Sequence, residues 1–399
     1  MTSTLRKLCA AMLFLTGAPI LLSAQKPSNG EMRRLIDDNM KFAAAQYRVL
    51  QDSTPADRMP RTFQNGRSVT SNTEWWCSGF YPGSLWYIYE YTKDDAIKAE
   101  AERRLAILEK EKRYTGNHDI GFMIFCSFGN AYRITGDKKY KDVVDTAAVY
   151  QITRYRPTIK SIQSWNSSKD RKCPVIIDNM MNLEQLLWVA ANGGDAKFRD
   201  IAVTHANTTL KNHYRPDHST FHILDYDLST GEVIKKVNGQ GAHDTSAWSR
   251  GQSWGLYGFT MMYRFTKDET YLQHAKNIAD FLLNHPNMPS DNIPYWDYNA
   301  PQIPNTLRDV SAGAIMASAL LELGQYVGKK DRKKYVGAAA GMLHALGQPT
   351  YRANLGENGG FLLKQSVGFF LQNSEVDVPL TYADYYFLEG LTRYKKWYL

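Results

Sequence analysis

The stretch "PVIIDNMMNLEQLLWVAANGGDAKF" (Pro174–Phe198) contains the repeating unit of the chain. Ile176, Ile177, Met180, Met181, Leu183, Leu186 and Leu187 leave almost no polar face, and a helix apolar all round belongs in an interior. A Gly-Gly-Asp turn then sets Asp195 before a more polar helical pattern, where an N-cap belongs. The same punctuation recurs in "YTKDDAI", "ITGDKKY", "FTKDETY" and "GKKDRKKY", with Asp94, Asp137, Asp268 and Asp331 in the cap position. Each turn follows an apolar, aromatic-rich segment and precedes an amphipathic one. A unit that cannot bury its faces alone must stack on copies of itself. The pattern predicts inner helices near 80–92, 118–135, 177–192, 246–266, 310–326 and 378–396. Outer helices are expected near 29–49, 94–112, 138–155, 195–212, 269–284 and 331–347. Six such hairpins closing on themselves give an all-α, (α/α)6 barrel, one domain over residues 25–399.

Two segments interrupt the repeat. "STFHILDYDLSTGEVIKKV" (219–237) alternates around a Thr-Gly turn and reads as a small β-hairpin insertion. "HPNMPSDNIPYWDYNAPQIPNTLRD" (285–309) is too long and too rich in Pro and Asn for a mere connector, and loops of that length are often functional.

The 399 residues open with "MTSTLRKLCAAMLFLTGAPILLSAQ". Arg6 and Lys7 precede an apolar run and small residues, the form of a secretory signal over residues 1–24, so the mature chain is expected to be exported to the periplasm or beyond. No other run is long enough to span a bilayer. Without Arg6 and Lys7 the formal charge falls from +8 to +6, scattered along the chain with no nucleic-acid arm. Cys77, Cys126 and Cys173 then remain, an odd number without metal-ligand spacing.

With hairpins alternating, all inner helices start at one mouth. Trp75, Trp76, Phe80, His118, Asp119, Asp178, Asn179, Trp248, Arg250, Trp254, Arg308, Asp309, Glu375 and Asp377 stand at those starts. Asp119 and Asp178 read either as helix caps or as working carboxylates. His118 alone reads as a core histidine, and the tryptophans as barrel filling. Arg250 sits in the otherwise apolar "SAWSRGQSWGLYGF", where a guanidinium needs an anion. That anion is either a neighbouring carboxylate or a ligand. Aromatic rings, carboxylates and one arginine together suit a sugar acid.

The motifs "HDIGFM", "PVIIDNMMN", "HDTSAWSRGQSWGLYGF" and "SEVDVPLTYADYYFLEGL" resemble glycoside hydrolase family 88, the unsaturated glucuronyl hydrolases. The resemblance implies a barrel enzyme without metal or organic cofactor. Its substrate partner would be an oligosaccharide ending in the 4,5-unsaturated uronic acid left by polysaccharide lyases. By the same resemblance Asp178 is the general acid/base and Asp119 the second essential carboxylate, with His118 beside it. Trp76 and Phe80 are sugar-contacting aromatics, His222 and Gln240 polar contacts, and Trp165 a further aromatic. Trp248, Arg250 and Trp254 form the end that receives the substrate carboxylate. The flanking Ile176, Ile177, Met180 and Met181 lead to the expectation that Asp178 keeps its proton while Asp119, in a more polar setting, stays ionised. Some members that prefer sulfated substrates carry a Ser-x-x-Ser-x-Lys pattern, which "KQSVGFFLQNSE" lacks. Three other readings stay open: an unsaturated rhamnogalacturonyl hydrolase, an ordinary inverting glycosidase, and a glycan-binding protein without activity.

Overall fold

The computed structural model describes residues 27–399; the expected signal segment, residues 1–24, lies outside them. The apolar segments form the inner helices α2 (Phe80–Thr92), α4 (Asn130–Thr135), α6 (Asn179–Ala191), α8 (Ser249–Thr266), α10 (Val310–Leu323) and α12 (Thr381–Tyr398). The amphipathic ones form the outer helices α1 (Asn29–Asp52), α3 (Asp95–Leu108), α5 (Lys138–Gln151), α7 (Lys197–Asn212), α9 (Glu269–Leu283) and α11 (Lys329–Leu346). Short α4 continues a π-helix, Gly121–Gly129, so the second inner helix is one rod of two pitches. Each inner helix packs on the next and α12 returns to α2, which closes the ring. The six-hairpin barrel expected from the repeat is the observed fold.

The cap turns do what their chemistry predicts. Asp94, Asp137, Asp195 and Asp268 accept from the backbone N–H groups of Ala96, Lys139, Lys197 and Thr270 at 2.9–3.0 Å. Asp268→Ala should therefore cost about 1 kcal/mol, read as a lower denaturation midpoint; an unmoved midpoint would mean that the cap contributes nothing. Asp331 departs from the pattern. Gly328 occupies its cap position, and Asp331 lies in the first turn of α11, paired with Lys276 at 3.2 Å.

The β structure is more extensive than one hairpin. β1 (Met59–Gln64) and β2 (Arg67–Ser71) pair antiparallel about Asn65 and Gly66, both with positive φ. β3 (Tyr155–Arg156) pairs with β4 (Ser161–Ile162). The expected hairpin is present as β6 (Ile223–Tyr226) and β7 (Val233–Val237), but β5 (Pro174–Ile176) joins its edge. Ile176 is thus a strand residue, and the inner helix begins three residues later. β8 (Ser366–Phe369) and β9 (Ser374–Val378) form the last hairpin, so Glu375 and Asp377 are strand residues too. The long 285–309 segment is pinned rather than loose. Buried Asp297 accepts from Ala242 N, Ser246 Oγ and Asn299 N, and Trp296 stacks on Phe370 at 4.4 Å.

A cavity of about 480 Å³ opens at the end of the barrel where the inner helices finish, lined by Trp188, Tyr257, Lys396 and Trp397 among others. Its arginines are paired: Arg264 with Glu184 and Glu322, Arg393 with Glu322 and Glu389, and Arg133 with Glu90. Among the described residues no helix is long and apolar enough to cross a membrane.

Candidate active site

The second end of the barrel gathers the polar groups. Asp178 immediately precedes α6, yet its side chain makes no cap hydrogen bond, so the simple helix-cap reading fails for it. The β5–β6 pairing explains what the carboxylate faces instead. Ile177 N donates to His222 O at 3.0 Å, which brings the His222 ring beside Asp178, Nε2 to Oδ2 at 3.7 Å. His222 Nδ1 accepts from Gln240 N at 3.2 Å, so the proton of the neutral ring sits on Nε2 and points its donor toward the carboxylate side. Burial holds the His222 pKa well below its ordinary value, which keeps the ring neutral.

Asp119 enters from the start of the π-helix. Its Oδ1 lies 3.3 Å from Nε2 of buried His118, whose pKa burial lowers to about 4. Asn182 of α6 accepts from Phe122 N at 2.8 Å, and a Cβ at Gly121 would stand 2.7 Å from the same Asn182 oxygen. The glycine therefore permits the approach of the two elements that carry Asp119 and Asp178. Both carboxyl groups are buried, and burial raises both: Asp119 to about 7, Asp178 to about 6. The expectation that Asp119 would stand in the more polar setting is overturned. Asp178 is the one that feels the Arg250 cation, whereas Asn182 and Arg154 oppose the desolvation of Asp119. Asp119, when ionised, adds to the rise of Asp178.

Arg250, 2% exposed, has found its anion within the protein. Nη1 reaches Asp309 Oδ2 at 3.3 Å and Val367 O at 2.5 Å; Nη2 reaches Gln240 Oε1 at 2.6 Å and Gly368 O at 2.8 Å. Its guanidinium lies over Trp248 and Tyr382, at 4.5 and 5.4 Å. Of the two sources of an anion left open by the sequence, the neighbouring carboxylate is present in the structure, while Arg250 Nε is left without a partner. Asp309 is itself fixed as the cap of α10, accepting from Ser311 N and Ser311 Oγ.

The aromatics divide into two layers. Trp76 and Trp165 keep exposed surface. Trp165 stands edge-on to His222 at 6.4 Å, and Trp248 packs on that ring's other neighbour space at 4.6 Å. Phe80 and Trp254 have no exposed surface and form the floor below Trp76, joined through Phe122. All eleven residues singled out from the sequence therefore meet at one mouth. Reading the sequence missed Phe122 and Tyr382, which packs on Trp76 at 4.9 Å, and the role of Asp309.

A single mouth with two buried, mutually repelling carboxyl groups, ringed by tryptophans, is the arrangement of a glycosidase pocket. The family model for Glycosyl Hydrolase Family 88 matches residues 53–265, the span that carries both carboxylates and Arg250. The chain belongs to glycoside hydrolase family 88. An unsaturated glucuronyl hydrolase of Formosa agariphila is 43% identical over 342 residues, 85% of each chain. An unsaturated chondroitin disaccharide hydrolase of Streptococcus pneumoniae is 35% identical, covering 85% of this chain and 87% of its own. Among solved structures, an unsaturated glucuronyl hydrolase specific for heparin superposes with a TM-score of 0.88 at 43% identity, over 91% of this chain and 97% of its own. This family 88 chain thus spans most of the length of these relatives, with its two carboxylates inside the matched region. Among its described residues, no group of three or more His, Cys, Asp or Glu is placed to hold a metal ion.

Proposed function

We propose that this family 88 hydrolase is exported and removes the 4,5-unsaturated uronic acid from the non-reducing end of lyase-generated glycosaminoglycan oligosaccharides. The observation that carries the reading is the uncapped, buried Asp178 beside His222 and within the field of Asp119. Relatives named for heparin and for chondroitin disaccharides support the substrate class. Export rests on the signal pattern of residues 1–24.

The C4=C5 bond of such a uronate is conjugated with the ring oxygen, a vinyl ether. Protonated Asp178 gives its proton to C4, leaving positive charge shared by C5 and the ring oxygen. Water adds at C5 and returns a proton to the Asp178 carboxylate. The resulting hemiketal opens, and the shortened saccharide leaves from C1. His222 Nε2–H stabilises the carboxylate between the two proton transfers. Asp119 and His118 hold sugar hydroxyls, Trp76 and Trp165 offer ring faces, and Arg250 fixes Gln240 and the last hairpin in place. The anomeric carbon is never attacked, so the carboxylate-spacing rule for inverting and retaining glycosidases does not govern this site.

Incubation with lyase-made disaccharides of chondroitin, hyaluronan and heparin type, followed by mass spectrometry, tests the substrate class. A free saturated sugar and a hydrated uronate are expected from at least one; intact substrate in every case would remove the proposal.

The pH dependence carries a second test. The acid must be protonated, so activity is present below the Asp178 pKa and lost as pH rises through it, at about 6. Asp119, which burial raises to about 7, is still largely protonated where Asp178 titrates, so Asp119→Asn should lower the rate but leave the alkaline limb of kcat/KM in place; a limb that moves to lower pH would mean that Asp119 is ionised in the active enzyme.

A further inference from the structure

Both carboxylates of the mouth stand where helix caps belong, and neither is used as one. Asp119 O accepts the first intrahelical bond of the second inner helix, from Met123 N at 3.0 Å, which makes Asp119 the N-cap of that rod. An aspartate in that position ordinarily bends its side chain back onto the N–H of the second or third helical residue, here Gly121 or Phe122. The Asp119 carboxyl does not take Phe122. Phe122 N donates across the helix interface to Asn182 Oδ1 at 2.8 Å, and Asp119 Oδ1 lies beside His118 Nε2 at 3.3 Å. At α6 the same problem is solved by the backbone: Met180 N and Met181 N donate to the carbonyls of Ile177 and Asp178, both at 3.0 Å.

Asn182 is held in place for that contact. It follows Asp178 by one turn on α6 and has no exposed surface. Its backbone oxygen accepts from Gln151 Nε2 at 2.7 Å, and Gln151 Oε1 accepts from Gln185 Nε2 at 2.9 Å, which ties this turn of α6 to α5. Gly121 clears the approach, since a Cβ there would stand 2.7 Å from Asn182 Oδ1 and 2.8 Å from its Cα. With Oδ1 committed to Phe122 N, the amide has one orientation, and Nδ2 is buried without a hydrogen-bond partner of its own. That N–H group stands toward Asp119: burial raises the Asp119 pKa, and the Asn182 amide opposes the rise.

We infer that Asn182 is a positioning residue, a cap supplied by the neighbouring helix that keeps the Asp119 carboxyl off Phe122 N–H and free for the substrate. A first-turn N–H buried without an acceptor is costly, so it takes the acceptor within reach. Once Asn182 is removed, the acceptor in the cap position is Asp119 itself. Its carboxyl then closes onto Phe122 N–H as an N-cap, and the sugar hydroxyls lose it. The fold loses little, because one cap replaces another, whereas the site loses a working group. Asn182 acts on the reaction through Asp119 and has no contact of its own to make with the sugar. The inference deepens the proposed function and rests on it.

Two measurements test it. The first is the crystal structure of Asn182→Ala, with Asn182→Leu, which keeps the volume of the side chain, as the alternative should the smaller residue prevent folding. The Asp119 carboxyl is expected on Phe122 N; a carboxyl left in its wild-type place overturns the inference. The second is a double-mutant cycle in kcat/KM on a lyase-made disaccharide. Replacing Asn182 should lower kcat/KM by roughly tenfold or more when Asp119 is present, and by about twofold or less in the Asp119→Asn background, where nothing remains to be positioned. A loss by the same factor in both backgrounds means that Asn182 serves the fold alone, and no loss in either means that it serves neither; each overturns the inference and leaves the hydrolase reading intact. A wild type that cleaves no such disaccharide overturns the hydrolase reading, and the position of Asp119 in the variant structure still decides the capping exchange.

Discussion

Asp178→Asn lowers kcat by roughly two orders of magnitude or more and leaves the protein at least as stable at pH 7. The amide keeps the shape of the side chain but can neither give the proton to C4 nor take one from water. The stability half follows from the sign of the titration. Burial raises the Asp178 pKa to about 6, above the ordinary carboxylate value, so the folded state favours the protonated form. That contribution is full below the unfolded pKa and is lost as pH rises through the folded one. Above about pH 6 the wild type carries a buried charge that Asn does not. Turnover and thermal unfolding measured on the same preparation decide the matter: near-normal turnover would remove Asp178 from the chemistry, and a lower Tm would give it a structural role instead.

Arg250→Met is expected to destabilise the fold by about 3–5 kcal/mol, the usual cost of breaking a buried ion pair from one side. It strands Asp309, which is itself fully buried, and releases the carbonyls of Val367 and Gly368 together with Gln240. Adding Asp309→Leu removes the stranded charge and should recover part of the loss, since a buried pair replaced by apolar groups is often tolerated. Activity should stay low in both variants, because the hairpin and Gln240 remain unclamped. Denaturant unfolding of the two single variants and the double variant gives the coupling energy. An unchanged midpoint for Arg250→Met would show that the clamp adds nothing to stability.

The barrel was legible because its signals are local and repeated. Asp94, Asp137, Asp195 and Asp268 mark where inner helices give way to outer ones, and the six apolar segments alternate with them. Asp331 misled because Gly328 and Asp331 are both plausible starts, and only packing chooses between them. The strands were less visible. Pro174–Ile176 runs straight into a helix of the same composition, so periodicity had no boundary to report. The β1–β2 hairpin did announce itself, through Asn65-Gly66 between "MPRTFQ" and "RSVTS", a strong turn signal that the helical repeat overshadowed. The mouth residues followed from the ring once all inner helices start at one end. Which anion Arg250 meets did not follow. Asp309 is distant in sequence and reaches Arg250 only through the packing of α8 on α10. The order of the two carboxyl pKa values failed for a related reason. It depends on burial and on the distance to Arg250, and neighbouring side-chain types do not report either.

The central claim is that the double bond, and not the glycosidic bond, is the first to react. The conjugated C4=C5 enol ether absorbs in the ultraviolet, and hydration destroys that chromophore, whereas ordinary hydrolysis leaves it on the released uronate. Following absorbance and released saccharide together during turnover of a lyase-made disaccharide separates the two. The account predicts that absorbance disappears one-for-one with the saccharide set free; saccharide released while the absorbance persists would contradict it.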